Sequence, residues 1–285
     1  MSALGLKTKT VLSASLLIAA IGTALTASAA APQNSAPPDF SSNLTGWNGL
    51  DGAGPFFEAV PGIEPGPVLQ DPAHPFVPNG TDKQPTFRIS DLSNPNLMPW
   101  VKEQMKKDND EVLAGKMAFT PQSSCVPGGV PMFMGLGGPN PVVFLQTPKE
   151  VLIVFWSEHQ TRHVYLNVPH SKNLKPSWYG ESVGHYEGDT LVVDTIGQKT
   201  NTFVDIYRTP HTDKLHVTER WRMTDGGKML ESVFTVEDPG AFYKPWTARR
   251  RYRRVVQEPL ESPCAENNAA NLFDYHIPEA KTPDF

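Results

Sequence analysis

Residues 183–197 read VGHYEGDTLVVDTIG, two short runs rich in β-branched and aromatic side chains on either side of Gly188-Asp189. A two-residue unit with glycine is hairpin chemistry, because its backbone must reach positive φ to follow the right-handed twist of the flanking strands. The two runs are therefore expected to be antiparallel neighbours.

The same grammar extends outward. Strands are expected at about 141–147, 150–158, 161–168, 183–187, 190–197, 214–223, 228–237 and 246–256, with further tight turns at His159-Gln160 and at Thr224-Asp225-Gly226-Gly227. An up-and-down antiparallel meander of these eight strands is expected to close as a lipocalin-like barrel, whose interior is just wide enough for one small ligand. In a strict meander, connections alternate between the two ends. The three tight turns would then close one end, and the long connections 169–182, 198–213 and 238–245 would form a collar at the other.

Composition agrees with a β-rich class. The 28 prolines and 22 glycines among 285 residues make about 18% turn-formers against roughly 12% in average usage, too many for a mostly helical chain. Hydrophobic residues at 39%, with 6 Trp, 14 Phe and 7 Tyr, are enough for a packed core and exclude a disordered chain. Prolines are unevenly placed: 13 fall in residues 31–100 and only five in 151–257. Central strands exclude proline, so residues 30–120 read as a proline-rich arm leading into a barrel at 121–266, followed by a tail at 267–285. One helix is expected in the arm. It starts at Pro99, where a missing N–H costs nothing, ends before Gly115, and carries Trp100, Val101, Met105, Val112 and Leu113 as its apolar face.

Residues 1–29 read as a signal peptide: Lys7 and Lys9, an apolar stretch over 11–25, then Ala27-Ser28-Ala29 before a cleavage point at Ala30. The apolar stretch is shorter than a bilayer requires, so a periplasmic or secreted protein without membrane insertion is expected. Losing the two lysines takes the formal charge from −5 to −7, which argues against nucleic acid as a partner. The basic run Arg249–Arg254 is more simply paired with carboxylates of the same chain. In an oxidising compartment Cys125 and Cys264 are expected to form a disulfide.

Strand parity isolates two charges. Glu219 shares a face with Leu215, Val217, Trp221 and Met223, and Arg162 shares one with Val164, Leu166 and Val168. Burying either alone is costly. They are expected either to pair, Glu219 with Arg162 or with Arg250 or Arg254, or to face a ligand inside the barrel. Candidate acid/base and charge-stabilising groups are His170, His211, Glu219, Arg162 and Arg220. Candidate ligand contacts are the collar aromatics Trp178, Tyr179, Tyr243 and Trp246, with His185. A zinc set of His170, His185 and His211 is conceivable, but nothing in the spacing demands it; no metal and no cofactor are expected. There is no nucleophile elbow, phosphate loop or H-E-x-x-H.

The run Trp178-Tyr179-Gly180-x-Ser182-x-Gly184-x-x-Glu187-Gly188-Asp189-Thr190-Leu191-Val192-Val193-Asp194-Thr195, followed by His211, Glu219-Arg220 and Asp238-Pro239, resembles an uncharacterised family of exported bacterial proteins over about residues 121–266. The resemblance implies export and a shared fold, and it adds weight to Trp178, His170, His211, Glu219 and Arg220 without assigning their roles. The functional expectation is a barrel that binds a small amphipathic or aromatic molecule. The alternatives are a cofactor-free acid/base enzyme of the lyase, isomerase or hydrolase type, and a structural envelope protein.

Overall fold

The computed structural model describes residues 36–41, 45–50, 56–78, 81–86, 88–116, 121, 126–135, 141–155 and 160–256. The expected signal peptide, Cys125, Cys264, His159 and the C-terminal tail lie outside these residues. The described strands are β1 (Thr45–Gly49), β2 (Glu58–Ala59), β3 (Val142–Gln146), β4 (Glu150–Phe155), β5 (Gln160–Leu166), β6 (Glu181–Glu187), β7 (Thr190–Ile196), β8 (His216–Thr224), β9 (Met229–Glu237) and β10 (Trp246–Val256). They form one sheet in the order β1-β3-β4-β5-β6-β7-β8-β9-β10, closed by pairing of β1 with β10, and β2 adds to β10 beside β1. The protein is mainly β and its barrel is closed, as its strand pattern implies.

Two features differ from an eight-strand meander. The first is a ninth barrel strand, β1, drawn from the proline-rich arm and inserted between β10 and β3. Its sequence, TGWNG, lacks strand propensity, but its glycines answer a steric demand. A Cβ on Gly46 would lie 2.2 Å from Pro141 Cβ, and one on Gly49 would lie 2.2 Å from Arg250 Nη2. Trp47 between them is fully buried and donates its indole N–H to the Phe40 carbonyl. Closure depends on a strand thin enough to be pressed against its neighbours.

The second difference is that β5 and β6 are parallel, pairing only at Val164–Leu166 with Ser182–Gly184. The chain between them, residues 167–180, therefore recrosses the barrel wall. A seven-residue strand spans about 20 Å, and a parallel connection needs a dozen or more residues, which this segment supplies. The end of β4 at Phe155 and the start of β5 at Gln160 accordingly lie at the end opposite to the turns at Gly188-Asp189 and Thr224–Gly227. The expected grouping of all three tight turns at one end is corrected: Phe155 and Gln160 lie at the collar end.

The interior is packed. Trp221 on β8 meets Phe144 on β3 (5.4 Å between ring centres), Tyr252 on β10 (5.8 Å) and Phe133 (6.4 Å). Phe133 belongs to a buried segment, Val130–Met134, that enters the barrel through the 3-10 turn Met132–Gly135, where the Met134 carbonyl accepts from the Tyr252 hydroxyl. The axis thus holds side chains. The helix α1 (Pro99–Leu113) has proline in its first turn, and Gly115 just beyond its end has positive φ, as expected. It buries Val101, Met105 and Val112, and its buried Asn109 accepts from Ser90 N–H and Oγ–H and donates to the Ser90 carbonyl. Trp100, though 42% exposed, donates to the Gly240 carbonyl, fixing the helix to the β9–β10 connection.

Gly46→Ala is expected to destabilise the protein by about 1–3 kcal/mol, the usual cost of overpacking a tight contact. Urea denaturation measures this, and an unchanged midpoint would show that β1 is not pressed against Pro141.

Candidate functional site

Strand alternation turns Arg162 on β5 and Glu219 on β8 into the barrel, where they are 1% and 0% exposed. They pair in bidentate fashion: Arg162 Nη1 donates to Glu219 Oε1 at 3.0 Å, and Nη2 donates to Oε2. Arg162 Nη2 also donates to Thr195 Oγ1 on β7 (2.7 Å) and Nε to Ser182 Oγ on β6 (3.1 Å). Trp221 Nε1–H adds a bond to Glu219 Oε1 at 3.2 Å, and the guanidinium lies 4.8 Å from the centre of the Phe133 ring. Of the two expectations for these charges, pairing is what the geometry contains, with Arg162 as the partner. Arg250 instead donates to the Phe56 carbonyl, and Arg254 lies over Trp47. Both Glu219 oxygens are engaged, so its carboxylate serves as a crosslink among β5–β8.

The pocket lies in the wall. Because β5–β6 pairing begins only at Val164 and Ser182, the first residues of β5 have no strand neighbour on that side. The crossover 167–180 lies beside the gap, and between them is an open pocket of about 580 Å³. Thr161, His163 and Tyr165 of β5 form one side, Lys175, Trp178 and Tyr179 of the crossover another, and Arg162 with Ser182 the floor. Main-chain groups also face it. Leu166 donates its amide to Lys149 toward β4 and Asn167 donates to Gly184 toward β6, so by alternation Thr161 turns its amide and carbonyl toward the gap. Tyr179 is held by its hydroxyl, which donates to Gln160 Oε1 at 2.5 Å, and by an edge contact with Phe133 at 6.1 Å. Trp178 carries Lys199 Nζ at 4.7 Å from its ring centre.

The other expected site residues are dispersed. Trp246 is 2% exposed and packs in the core between Phe234 and Phe242, whereas Tyr243 is 61% exposed at the β9–β10 connection. The expected four-aromatic mouth is therefore corrected to Trp178 and Tyr179. Parity buries Trp246 on the inward row of β10, a consequence its place beside a loop concealed. His185 pairs with Glu187, and Arg220 with the same carboxylate, on the outer face. His211 is buried in the connection 197–215: Nδ1–H donates to the Thr212 carbonyl, and Nε2 lies 2.8 Å from Thr202 Oγ1. Burial, partly offset by that carbonyl and by Asp238, pushes its pKa below 6.5. His170 lies outside the barrel between Glu181 and Asp194. His170, His185 and His211 thus have separate partners, and among the described residues no group of three or more His, Cys, Asp or Glu is placed to hold a metal. No helix among the described residues is long and apolar enough to cross a membrane.

The pocket residues His163, Tyr165 and Lys175 were not singled out by sequence. The usable signal was the length of the β5–β6 connection, which already satisfied the requirement for a parallel crossover.

Removing one partner of the buried pair leaves an uncompensated charge. Glu219→Gln is expected to cost about 3–5 kcal/mol, and the double variant Arg162→Met/Glu219→Leu to recover most of it; equal losses in single and double variants would count against a paired crosslink. A second test concerns Asp205, fully buried, whose pKa is pushed up to about 6 by burial against hydrogen bonds from Thr209 and from the Tyr207 amide. Its folded state binds a proton that the unfolded chain has released. The resulting penalty is absent below 3.8, grows as pH rises to about 6, and amounts to about 3 kcal/mol above it. Asp205→Asn keeps an acceptor for the same donors, so it is expected to exceed the parent in stability at pH 7 and to match it near pH 4 in denaturation at the two pH values. No family model, curated protein or solved structure matches the chain.

Proposed function

We propose that the protein is an exported β-barrel that binds a small amphipathic or aromatic molecule in the wall pocket between β5 and the crossover 167–180. The observation that carries this reading is the gap itself. A barrel filled along its axis leaves one side open, and the opening places Trp178, Tyr179 and Tyr165 beside main-chain donors and acceptors, the combination that small-molecule sites generally use. Lys175 lines the pocket and Lys199 lies against Trp178, whereas Glu181, the carboxylate in the lining, is engaged by Ser171 and His170. The rim therefore favours a ligand whose polar end is anionic. The separation of His170, His211 and Glu219 weighs toward binding and away from acid/base catalysis. Export rests on residues 1–29 and on the resemblance of the 178–195 run to exported bacterial proteins.

The test is titration with an aromatic sulfonate probe, 8-anilinonaphthalene-1-sulfonate, with native mass spectrometry of protein purified from its own compartment. One molecule per chain is expected, with Trp178→Ala weakening the probe about tenfold, equivalent to about 1.4 kcal/mol, and Tyr243→Ala leaving it unchanged. Absence of any bound species, or equal effects of the two substitutions, would overturn the assignment to this pocket. Mature protein isolated from the same compartment is expected to begin at Ala30.

A further inference from the structure

Outside the barrel, five titratable side chains form an unbroken line across four adjacent strands. Glu237 on β9 faces His216 on β8 (Oε2 to Nδ1, 3.2 Å), and His216 faces Asp194 on β7 (Nε2 to Oδ2, 2.8 Å). Asp194 faces His170 of the crossover (Oδ1 to Nε2, 2.7 Å), and His170 faces Glu181 at the start of β6 (Nδ1 to Oε1, 3.0 Å). Glu181 is also gripped by the next crossover residue, accepting from Ser171 N–H at 2.6 Å and from its hydroxyl.

The order of charges carries a chemical consequence. An ionised carboxylate only accepts hydrogen bonds, and a neutral imidazole has one N–H. A ring with both nitrogens against carboxylate oxygens is satisfied only as an imidazolium donating from both. Closed, the line holds three negative and two positive charges. Without the two protons it holds three negative charges, and each ring turns a lone pair toward a carboxylate.

The geometry points to a protonation-dependent clasp: His170 and His216, held between Glu181, Asp194 and Glu237, fasten the crossover 167–180 to the barrel wall, and loss of their protons releases it. His170 is the group on the moving segment, and the same segment supplies Lys175, Trp178 and Tyr179 to the pocket. His170 thereby acts as a positioning residue for the pocket wall. Lys172 and Lys175, the other charges of the crossover, have no ion-pair partner among the described residues, so the clasp is its charged anchor there.

The direction of the pH dependence follows from the pair at the centre. The hydrogen bond that Asp194 accepts from His216 raises His216 above its ordinary 6.5 against the opposing effect of burial, with Glu237 adding to the rise. The hydrogen bond from His216 lowers Asp194 below 3.8, again against burial, with His170 helping. The His216 contribution is fully present below 6.5 and is lost as pH rises through its folded value; the Asp194 contribution is present above 3.8 and is lost as pH falls through its folded value. The clasp is closed below 6.5 and opens as pH rises through the raised folded value of His216.

Hydrogen exchange of residues 169–180, corrected for intrinsic rates between pH 5.5 and 9, tests this, together with ¹⁵N spectra of the imidazoles. At pH 6 the His216 ring is expected to carry both N–H protons, and protection of the crossover is expected to fall at least tenfold as that ring loses one. His170→Gln is expected to remove that protection at every pH while β8 and β9 stay protected. His74→Gln, whose ring pairs with Asp71 in the N-terminal arm away from both the line and the pocket, is expected to leave the profile unchanged. A wild-type profile flat with pH, a neutral ring at His216 at pH 6, or a parental profile in His170→Gln would each overturn the clasp. Because the readout is exchange in the ligand-free protein, failure of small-molecule binding leaves this result intact, and the reverse also holds.

Discussion

The guanidinium of Arg162 against the carboxylate of Glu219 is the interaction on which the barrel's architecture depends. Every described barrel seam but one is antiparallel; the β5–β6 seam is parallel and pairs over only three positions. Arg162 reaches across that seam to Ser182 on β6, then to Thr195 on β7 and Glu219 on β8. Ion pairs taken out of water are weak net stabilisers unless their remaining hydrogen-bonding capacity is met. Here Trp221, Ser182, Thr195 and the face of Phe133 meet much of it. What the pair contributes is placement: it holds together a wall that main-chain bonding leaves unfastened.

The outside of the same wall is fastened by neighbouring residues. Successive residues of a strand point to opposite faces, so Ser182 and Thr195 enter the Arg162 network while Glu181 and Asp194, one position earlier in each strand, face out and grip His170. The two systems differ in what they respond to. The inner one is shielded from water, with Arg162 and Glu219 buried. The outer one is partly solvated, and the hydrogen bond that His216 donates to Asp194 raises the His216 ring above 6.5. One therefore fixes the barrel, and the other fixes the segment lying beside its gap.

Strand positions were legible because each run had its own two-residue period and its own turn residues, and the same period exposed Arg162 and Glu219 as charges on apolar rows. Helix α1 was legible from Pro99 and Gly115 alone. β1 was not, since Gly46 and Gly49 are selected by the closeness of Pro141 and Arg250, neighbours more than 90 residues away in sequence. The parallel seam was hidden by treating every connection as a hairpin, although the segment after β5 was long enough to cross the wall. That single step moved the expected site from the barrel's axis to its side, and it separated Trp178 and Tyr179 from Tyr243 and Trp246.

A filled axis and an open wall constrain function together. Phe133, Trp221 and Tyr252 occupy the volume that a ligand would take in an open barrel of this kind, so the space left for a guest is where the sheet parts. A site in a sheet's interior face would be rigid, because ladders on both sides set its dimensions. This site has a ladder strand on one side only; its other side is a connecting segment tied by main-chain bonds at Ser177 to Gly197 and Lys199 and by the side chains of Tyr179 and His170. Its width therefore depends in part on side-chain bonds that can exchange with water, whereas the barrel behind it is held by ladders on both sides of each strand.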